Sequence, residues 1–298
     1  MCSVTGDAAR PPRLGWAVED VAVASPALGQ SWRVLVQRSA RTPAQVPWLW
    51  LLHGSAAGAD QMRPLLRAAA ESMDAGIVPP MIIAAPDAPE GYRSSWWVDS
   101  AYEPLDDPPN PVDALGPRAG RQLERGLLGD VLPAIEERFG PPLGAGARTI
   151  GGISMGGAAA LRWVIARPDL FGSAVLLSPA AYEPAPSDDS TARTTGAFGV
   201  GPDRYHADRF RDLMHYPTLL ADRPETMAPT RVVIIVGDEE PAQYGDGKRC
   251  DLDLEAARLH AQLKVRPDFE SVLRVVGGGH DWPVWERGIG DALRLLSS

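Results

Sequence analysis

The stretch "TIGGISMGGAAALRW", residues 149–163, decides the fold because it places one serine between closely spaced glycines. Ser154 follows Gly152 by two residues and precedes Gly156 by two, in the pattern G-x-S-x-G. An apolar run precedes the serine and an alanine-rich run follows it, which predicts a strand, a sharp turn at the serine and then a helix. Such a turn lifts the hydroxyl clear of the backbone, where it can act as a nucleophile.

Eight apolar and β-branched segments recur along the chain, with helical patterns between them. They are residues 18–25, 32–39, 46–53, 81–87, 148–153, 173–179, 231–237 and 271–277. The first two flank a turn, which predicts an antiparallel hairpin, and the central ones are continuously apolar, as in parallel strands covered on both faces. We therefore predict an α/β fold with a mostly parallel eight-stranded sheet, helices on both faces and antiparallel strands at one edge.

Helices are predicted from apolar residues at helical spacing and from their end signals. The segments are 60–76, 121–140, 253–265 and 283–296, besides the helix after Ser154. Pro133 falls inside the second segment and is expected to kink it.

The chain is predicted to form one domain, residues 1–298, with a flexible tail over 1–15. Two long irregular excursions interrupt the alternation of strands and helices, at 86–117 and 182–229. Irregular segments of this length in a compact domain are usually binding loops or lids, so we expect the second to be a lid-like insertion.

Composition excludes several classes of function. The net charge of −9 argues against a nucleic-acid partner, and no stretch is long and apolar enough to span a membrane. No secretory signal is recognised at the start, and the two cysteines suggest no disulfide framework, so a cytoplasmic location is expected. No spacing typical of a metal site or a phosphate-binding loop is present, and we expect no metal and no cofactor.

A serine nucleophile needs a base and an acid that orients the base. His280 follows the last predicted strand, where strand ends converge on one crevice and where hydrolases with this turn carry their histidine. The acid should follow the penultimate strand. Four carboxylates lie there: Asp238, Glu239, Glu240 and Asp246.

The developing negative charge on the substrate oxygen needs two backbone N–H donors. Met155 supplies one as the residue after the nucleophile, and Ser55 is the simplest second donor, in the loop after a strand. Four aromatic residues at loop or strand ends are candidates for the acyl pocket: Trp96, Trp97, Tyr182 and Trp282.

Five segments together resemble the esterase branch of the α/β-hydrolases. They are "WLLHGSAAG", "SSWWVDS", "GGISMGGAAALRWVIARPDLFGSAVLLSPA", "VVIIVGDEEP" and "GGGHDWPVWERGI". This branch includes S-formylglutathione hydrolases, feruloyl and enterochelin esterases and mycolyltransferases. The resemblance implies an α/β-hydrolase fold, Ser154 as nucleophile, His280 as base, and Ser55 and Met155 as oxyanion donors. It places the acid at Glu240; because many members carry Asp at that point, Asp238 is the alternative.

The sequence thus predicts a serine acyl-hydrolase, a carboxylesterase or thioesterase, that acts on a small-molecule ester or thioester through an acyl-enzyme on Ser154. An acyltransferase that uses the same residues on an alcohol or amine is the main alternative, and a peptidase is a weaker one. A non-catalytic binding protein on the same scaffold is the alternative from another class.

Overall fold

The computed structural model describes residues 15–42, 45–89, 91–105, 119–120, 122–223, 229–243 and 249–297. Residues 1–14 of the predicted tail and 106–117 of the first excursion lie outside these ranges, as does Asp246. Among the described residues, no helix is both long and apolar enough to cross a membrane.

The described residues contain a large sheet of eight strands and two small two-stranded sheets. In chain order the strands are β1 (Trp16–Ser25), β2 (Gln30–Ser39), β3 (Trp48–Leu52), β4 (Ile82–Asp87), β5 (Ala101–Tyr102), β6 (Arg148–Ile153), β7 (Ser173–Leu177), β8 (Val200–Gly201), β9 (Thr230–Gly237), β10 (Pro241–Gln243), β11 (Arg249–Asp251) and β12 (Phe269–Val276). The large sheet has the order β1-β2-β4-β3-β6-β7-β9-β12. β1 and β2 form an antiparallel hairpin, β2 runs antiparallel to β4, and the remaining neighbours are parallel. The eight predicted segments all lie in this sheet, which confirms the predicted fold class.

Helices cover both faces of the sheet. They are α1 (Arg63–Asp74), α2 (Leu123–Arg125), α3 (Leu132–Phe139), α4 (Met155–Ala166), α5 (Thr191–Thr194), α6 (Ala207–Met214), α7 (Tyr216–Asp222), α8 (Leu252–Lys264) and α9 (Trp282–Ser297). α1 and α9 pack in one apolar layer, and α3, α4, α6 and α8 pack in the other. β3 shows why both layers exist: Trp48 and Trp50 enter one, while Leu49 and Leu51 enter the other.

The predicted helix over residues 121–140 is helical from Leu123 to Phe139, with a change of hydrogen-bond pattern inside it. A π-helical turn, Gly126–Val131, lies between α2 and α3, and the backbone stays right-handed helical at Val131 and Leu132. Pro133, which cannot donate a backbone hydrogen bond, follows this turn closely. The kink at Pro133 stays a prediction.

The two excursions contact each other, which the sequence did not predict. β5 from the first pairs in parallel with β8 from the second. The Ser100 hydroxyl donates to the Gly196 carbonyl at 2.6 Å, and the Thr195 hydroxyl donates to the Ser94 carbonyl at 2.9 Å. The second excursion also contains the short helices α5, α6 and α7. Its function as a lid stays a prediction.

The turn between β6 and α4 is possible because two glycines let backbones approach closely. Ser154 has φ +52° and ψ −115°, a conformation that a residue with a side chain rarely adopts. A Cβ at Gly152 would lie 2.4 Å from the Gly156 backbone, and a Cβ at Gly156 would lie 2.4 Å from the Leu52 carbonyl oxygen. Both glycines therefore allow α4 to begin against the ends of β3 and β6.

Replacing Gly156 with alanine should destabilise the protein by about 3 kcal/mol or more, because the clash is with backbone that cannot move aside. Gly129→Ala is the matched control: no atom lies within 4 Å of its Cβ position, and we expect a change within about 1 kcal/mol. Chemical denaturation of both variants measures the difference. Equal stability of the two variants would contradict this account of the turn.

Candidate active site

Ser154 lies at the carboxyl edge of the sheet, and both its N–H and its carbonyl are hydrogen bonded to other backbone groups. Its N–H donates to the Leu177 carbonyl at 2.9 Å, and its carbonyl accepts from Ala158 at 2.9 Å and from Ala180 at 3.1 Å. These bonds join the turn to α4, to the end of β7 and to the loop after β7. The serine side chain lines a cavity of about 410 Å³ that opens to solvent.

His280 lines the same cavity and is hydrogen bonded to a carboxylate behind it. The Nδ1 atom of His280 lies 2.8 Å from Oε2 of Glu240. The Glu240 side chain is fully buried, whereas the His280 side chain is 35% exposed. The two residues follow β9 and β12, which are neighbours in the sheet, so their loops meet at one edge. Nδ1 is occupied by Glu240, which leaves Nε2 available for a reacting group.

The structure distinguishes which of the carboxylates after β9 contacts His280, which the sequence could not do. Glu240 is buried and contacts His280, whereas Asp238 is exposed and accepts a hydrogen bond from the Gly278 N–H at 3.0 Å. Glu239 is also exposed. Of these three, the structure brings Glu240 alone to the histidine, as the resemblance implied.

Ser178 is a supporting residue that the sequence analysis missed. Its hydroxyl donates to Oε1 of Glu240 at 2.7 Å and accepts from the Trp285 indole N–H at 2.8 Å. The N–H of Gly237 also donates to Oε1. Because an indole N–H only donates and a carboxylate only accepts, the direction of this chain is fixed. Two donors thus hold one carboxylate oxygen and turn the other toward His280. The available signal was the position of Ser178 directly after β7, beside the strand that carries the nucleophile.

The two predicted oxyanion donors lie beside Ser154. Met155 is the first residue of α4, where helical N–H groups have no partner within the helix, and Ser55 lines the same cavity as Ser154. The Gly54 carbonyl accepts from His53 Nδ1 at 2.8 Å and from the Ala57 N–H at 3.3 Å. Because C=O and N–H point in opposite directions across a trans peptide, holding the Gly54 carbonyl fixes the direction of the Ser55 N–H.

His53 supports this loop as a buried, neutral side chain. Its Nε2 accepts from the Ala88 N–H at 3.1 Å, so its proton is on Nδ1 and is donated to Gly54. Burial lowers the pKa of His53 to about 4, because the charged form loses its hydration. The imidazole lies against the Trp97 ring, with 4.8 Å between ring centroids.

The residues that line the cavity are mostly small or apolar, with two tryptophans and two larger polar residues, Gln61 and His280. They are Gly54, Ser55, Ala56, Ala57, Gln61, Ile153, Ser154, His280, Trp282 and Trp285. Within the described residues, no three His, Cys, Asp or Glu side chains are grouped so that they could hold a metal.

Of the four predicted pocket aromatics, the structure places Trp282 in the cavity lining and buries the other three in the core. Trp97 donates from its indole N–H to the His53 carbonyl at 3.2 Å, and the Trp96 ring packs 6.2 Å from the Tyr182 ring. Trp96 and Trp97 have φ of +56° and +57°, and their side chains lie in the interior behind the loop that carries Ser55. Trp96, Trp97 and Tyr182 are therefore not among the residues that line this cavity, and their contact with substrate stays a prediction. Trp285, which the sequence analysis did not select, lines the cavity.

The strand order and the serine turn define an α/β-hydrolase fold, and Ser154, Glu240 and His280 follow one another along the chain in the order typical of that fold. A family model described as "Putative esterase" matches residues 25–296, and the chain belongs to this family of ester-hydrolysing serine hydrolases. No curated protein sequence matches the chain.

Solved structures of several esterases have the same fold. An S-formylglutathione hydrolase from Agrobacterium tumefaciens is 16% identical, with a TM-score of 0.70 over 97% of this chain and 98% of that one. A ferulic acid esterase from Anaeromyces mucronatus, solved with ferulic acid, is 18% identical, with a TM-score of 0.63 over 97% and 94%. An enterobactin esterase from Shigella flexneri is 17% identical, with a TM-score of 0.62 over 94% of this chain and 59% of that one. At these identities the likeness shows the shared fold.

Removing the Ser178 hydroxyl should lower kcat about tenfold, because Glu240 then loses a donor and holds His280 less firmly. Ser173→Ala is the control on the other end of β7, where the hydroxyl contacts Thr149 at 2.8 Å, away from the site. Ester hydrolysis by Ser178→Ala and Ser173→Ala, with circular dichroism of both, makes the comparison. Wild-type kcat in Ser178→Ala would show that this hydroxyl does not support the acid.

The low pKa of His53 predicts that acid destabilises the fold. Between about pH 6.5 and pH 4 the unfolded chain takes up a proton at this residue and the folded chain does not. The free energy of unfolding should therefore fall as the pH falls, by about 1.4 kcal/mol per pH unit and about 3 kcal/mol in total from this group. Below pH 4 both states are protonated, and the contribution no longer changes.

Denaturation of wild type and His53→Gln at several pH values isolates this contribution. The variant should be less stable at neutral pH, and its stability should fall less steeply between pH 6.5 and 4. Parallel pH profiles for the two proteins would mean that the imidazole titrates normally.

Proposed function

We propose that the chain hydrolyses an ester or thioester through a covalent acyl-enzyme on Ser154, with His280 as base and Glu240 as the acid that orients it. One observation carries the proposal: Ser154 and His280 line one cavity, while Glu240 is buried behind the histidine at 2.8 Å from Nδ1. This is the arrangement that activates a serine hydroxyl.

In the first half of the reaction the Ser154 Oγ attacks the substrate carbonyl carbon while Nε2 of His280 takes the hydroxyl proton. The carbonyl electrons move to oxygen, and the N–H groups of Ser55 and Met155 stabilise this oxyanion. When the oxyanion collapses, the bond to the alcohol or thiol breaks. The leaving group receives the proton from His280, and the acyl group stays on Ser154.

In the second half, water attacks the acyl-enzyme and gives its proton to His280. Collapse of the second oxyanion releases the carboxylic acid and returns the proton to Ser154. Glu240 remains ionised throughout and stabilises the imidazolium in each half. The 35% exposure of the His280 side chain supports water as the acceptor, because solvent reaches the base directly.

The cavity lining supports an uncharged, apolar acyl group. Among the lining residues His280 is the one with an acidic or basic side chain, and Trp282 and Trp285 contribute two aromatic rings. Their rings are 5.1 Å apart in an edge-to-face arrangement. A charged acyl group would lose hydration in this cavity without gaining an oppositely charged partner.

Hydrolysis of p-nitrophenyl esters from acetate to decanoate, by wild type and Ser154→Ala, tests the proposal. We expect wild-type turnover whose dependence on acyl-chain length reports the size of the acyl pocket, and a loss of at least about 10³-fold in the variant. The fold of the variant should remain intact, as measured by its melting temperature.

Two results would contradict the proposal: turnover retained in Ser154→Ala, or no labelling of native wild-type protein by a fluorophosphonate. Adding an alcohol or amine separates hydrolysis from acyl transfer. A product dominated by the transferred acyl group at low acceptor concentration would make the chain an acyltransferase with the same catalytic residues.

A further inference from the structure

Four polar groups form a hydrogen-bond chain behind the candidate oxyanion hole. The Trp96 indole N–H donates to the Thr191 hydroxyl at 3.1 Å, and the Thr191 and Ser55 hydroxyl oxygens are 2.8 Å apart. The Ser55 hydroxyl in turn donates to the Met155 sulfur at 3.4 Å. The mechanism proposed above uses neither hydroxyl.

The donor and acceptor of each hydrogen bond in this series follow from the groups at its two ends. An indole N–H is a donor without an acceptor function, so Thr191 accepts from Trp96 and keeps its own proton to donate. A thioether sulfur is an acceptor, so the Ser55 proton points to Met155. The arrangement in which Thr191 donates to Ser55 gives both hydroxyl protons an acceptor.

These hydrogen bonds connect Ser55 and Met155, the two residues whose backbone N–H groups would bind the oxyanion. Ser55 lies in the loop after β3, and Met155 begins α4. The Met155 sulfur also accepts from the Trp96 backbone N–H at 3.1 Å, so its side chain is held from both sides. The distance between the two donors thus depends on side-chain contacts that Thr191 completes.

Thr191 belongs to the second excursion, residues 182–229, and is itself firmly held. Its carbonyl accepts from the Thr195 N–H at 3.2 Å, and the single Thr195 hydroxyl proton is shared between this carbonyl at 2.8 Å and the Ser94 carbonyl at 2.9 Å. Ser190 caps the short helix α5 by accepting from the Ala192 N–H at 3.2 Å. The excursion therefore presents the Thr191 hydroxyl in a fixed position.

We propose that Thr191 is a positioning residue: its hydroxyl holds Ser55 so that the Ser55 N–H is aligned with that of Met155, and the excursion thereby sets the geometry of the oxyanion hole. This inference rests on the proposed function. It assigns the excursion a part in transition-state stabilisation, in addition to any contact with substrate.

The first test compares Thr191→Val, which keeps the shape and removes the hydroxyl, with Thr191→Ser, which keeps the hydroxyl. Because an oxyanion donor acts mainly in the transition state, we expect Thr191→Val to lower kcat about tenfold with KM changed less than about twofold. Thr191→Ser should restore kcat to within about twofold of wild type. Thr218→Val, which removes a hydroxyl that bonds to His215 in the same excursion, should leave kcat unchanged.

A double-mutant cycle with Ser55→Ala measures whether Thr191 affects kcat through the Ser55 hydroxyl. It remains informative if Thr191→Val also lowers the stability of the protein. Ser55→Ala keeps the Ser55 N–H but removes the hydroxyl that Thr191 holds. If Thr191 acts through that hydroxyl, adding Thr191→Val to Ser55→Ala should change kcat by less than about twofold. Fully additive losses, a change confined to KM, or wild-type kcat in Thr191→Val would each overturn the inference.

Failure of this inference is distinguishable from failure of the proposed function. If Ser154→Ala is inactive and Thr191→Val has wild-type kcat, the acyl-enzyme route stands and the role of Thr191 is excluded. If Ser154→Ala retains turnover, the proposed function itself fails.

Discussion

The backbone turn at Ser154 is the constraint on which the rest of the site depends. Its φ of +52° is strained for a residue with a side chain, and it persists because hydrogen bonds to β7, to α4 and to the following loop fix it. The turn closes only where Gly152 and Gly156 lack side chains, since a Cβ on either would lie 2.4 Å from backbone atoms. The other candidate residues lie near that serine: Glu240 and His280 follow the neighbouring strands β9 and β12, and Ser55 lies in the loop after β3.

Two sets of hydrogen-bonding groups support the reacting residues. Behind the histidine, Ser178 and Gly237 hold one oxygen of Glu240, so that the other oxygen faces His280. Behind the oxyanion donors, His53 holds the Gly54 carbonyl, and Thr191 holds the Ser55 side chain. Both sets of supporting groups are neutral, and Ser178, Gly237 and His53 are buried while Thr191 is half-buried. They position the charged and reacting groups without adding competing charge to the cavity.

The local sequence pattern was sufficient to predict the sheet and the turn at Ser154, and insufficient for contacts between segments that are distant in the chain. The central strands were predictable because continuous apolar runs are typical of parallel strands buried on both faces, and β1 and β2 were predictable because they flank a turn. Glu240 could not be separated from its neighbours by the pattern of residues alone, because burial of one of three consecutive acidic residues depends on the path of a loop. Trp96 and Trp97 were predicted as pocket residues from their place in a loop, but both are buried, and that loop is hydrogen bonded to Thr191 and Thr195 of the second excursion. Ser178 and Thr191 carry no recognisable motif, since a single hydroxyl acquires its partner through tertiary contacts.

The central claim is that the acyl group passes through Ser154, and trapping the intermediate tests this most directly. Wild type is mixed with p-nitrophenyl acetate, quenched with acid within the first turnover, and examined by mass spectrometry of the intact protein and of its peptides. If the acyl-enzyme forms on Ser154, we expect one added acetyl group on the peptide that contains Ser154, and no adduct in Ser154→Ala. Steady turnover without an adduct, or an acetyl group on another residue that is released at the rate of turnover, would contradict it.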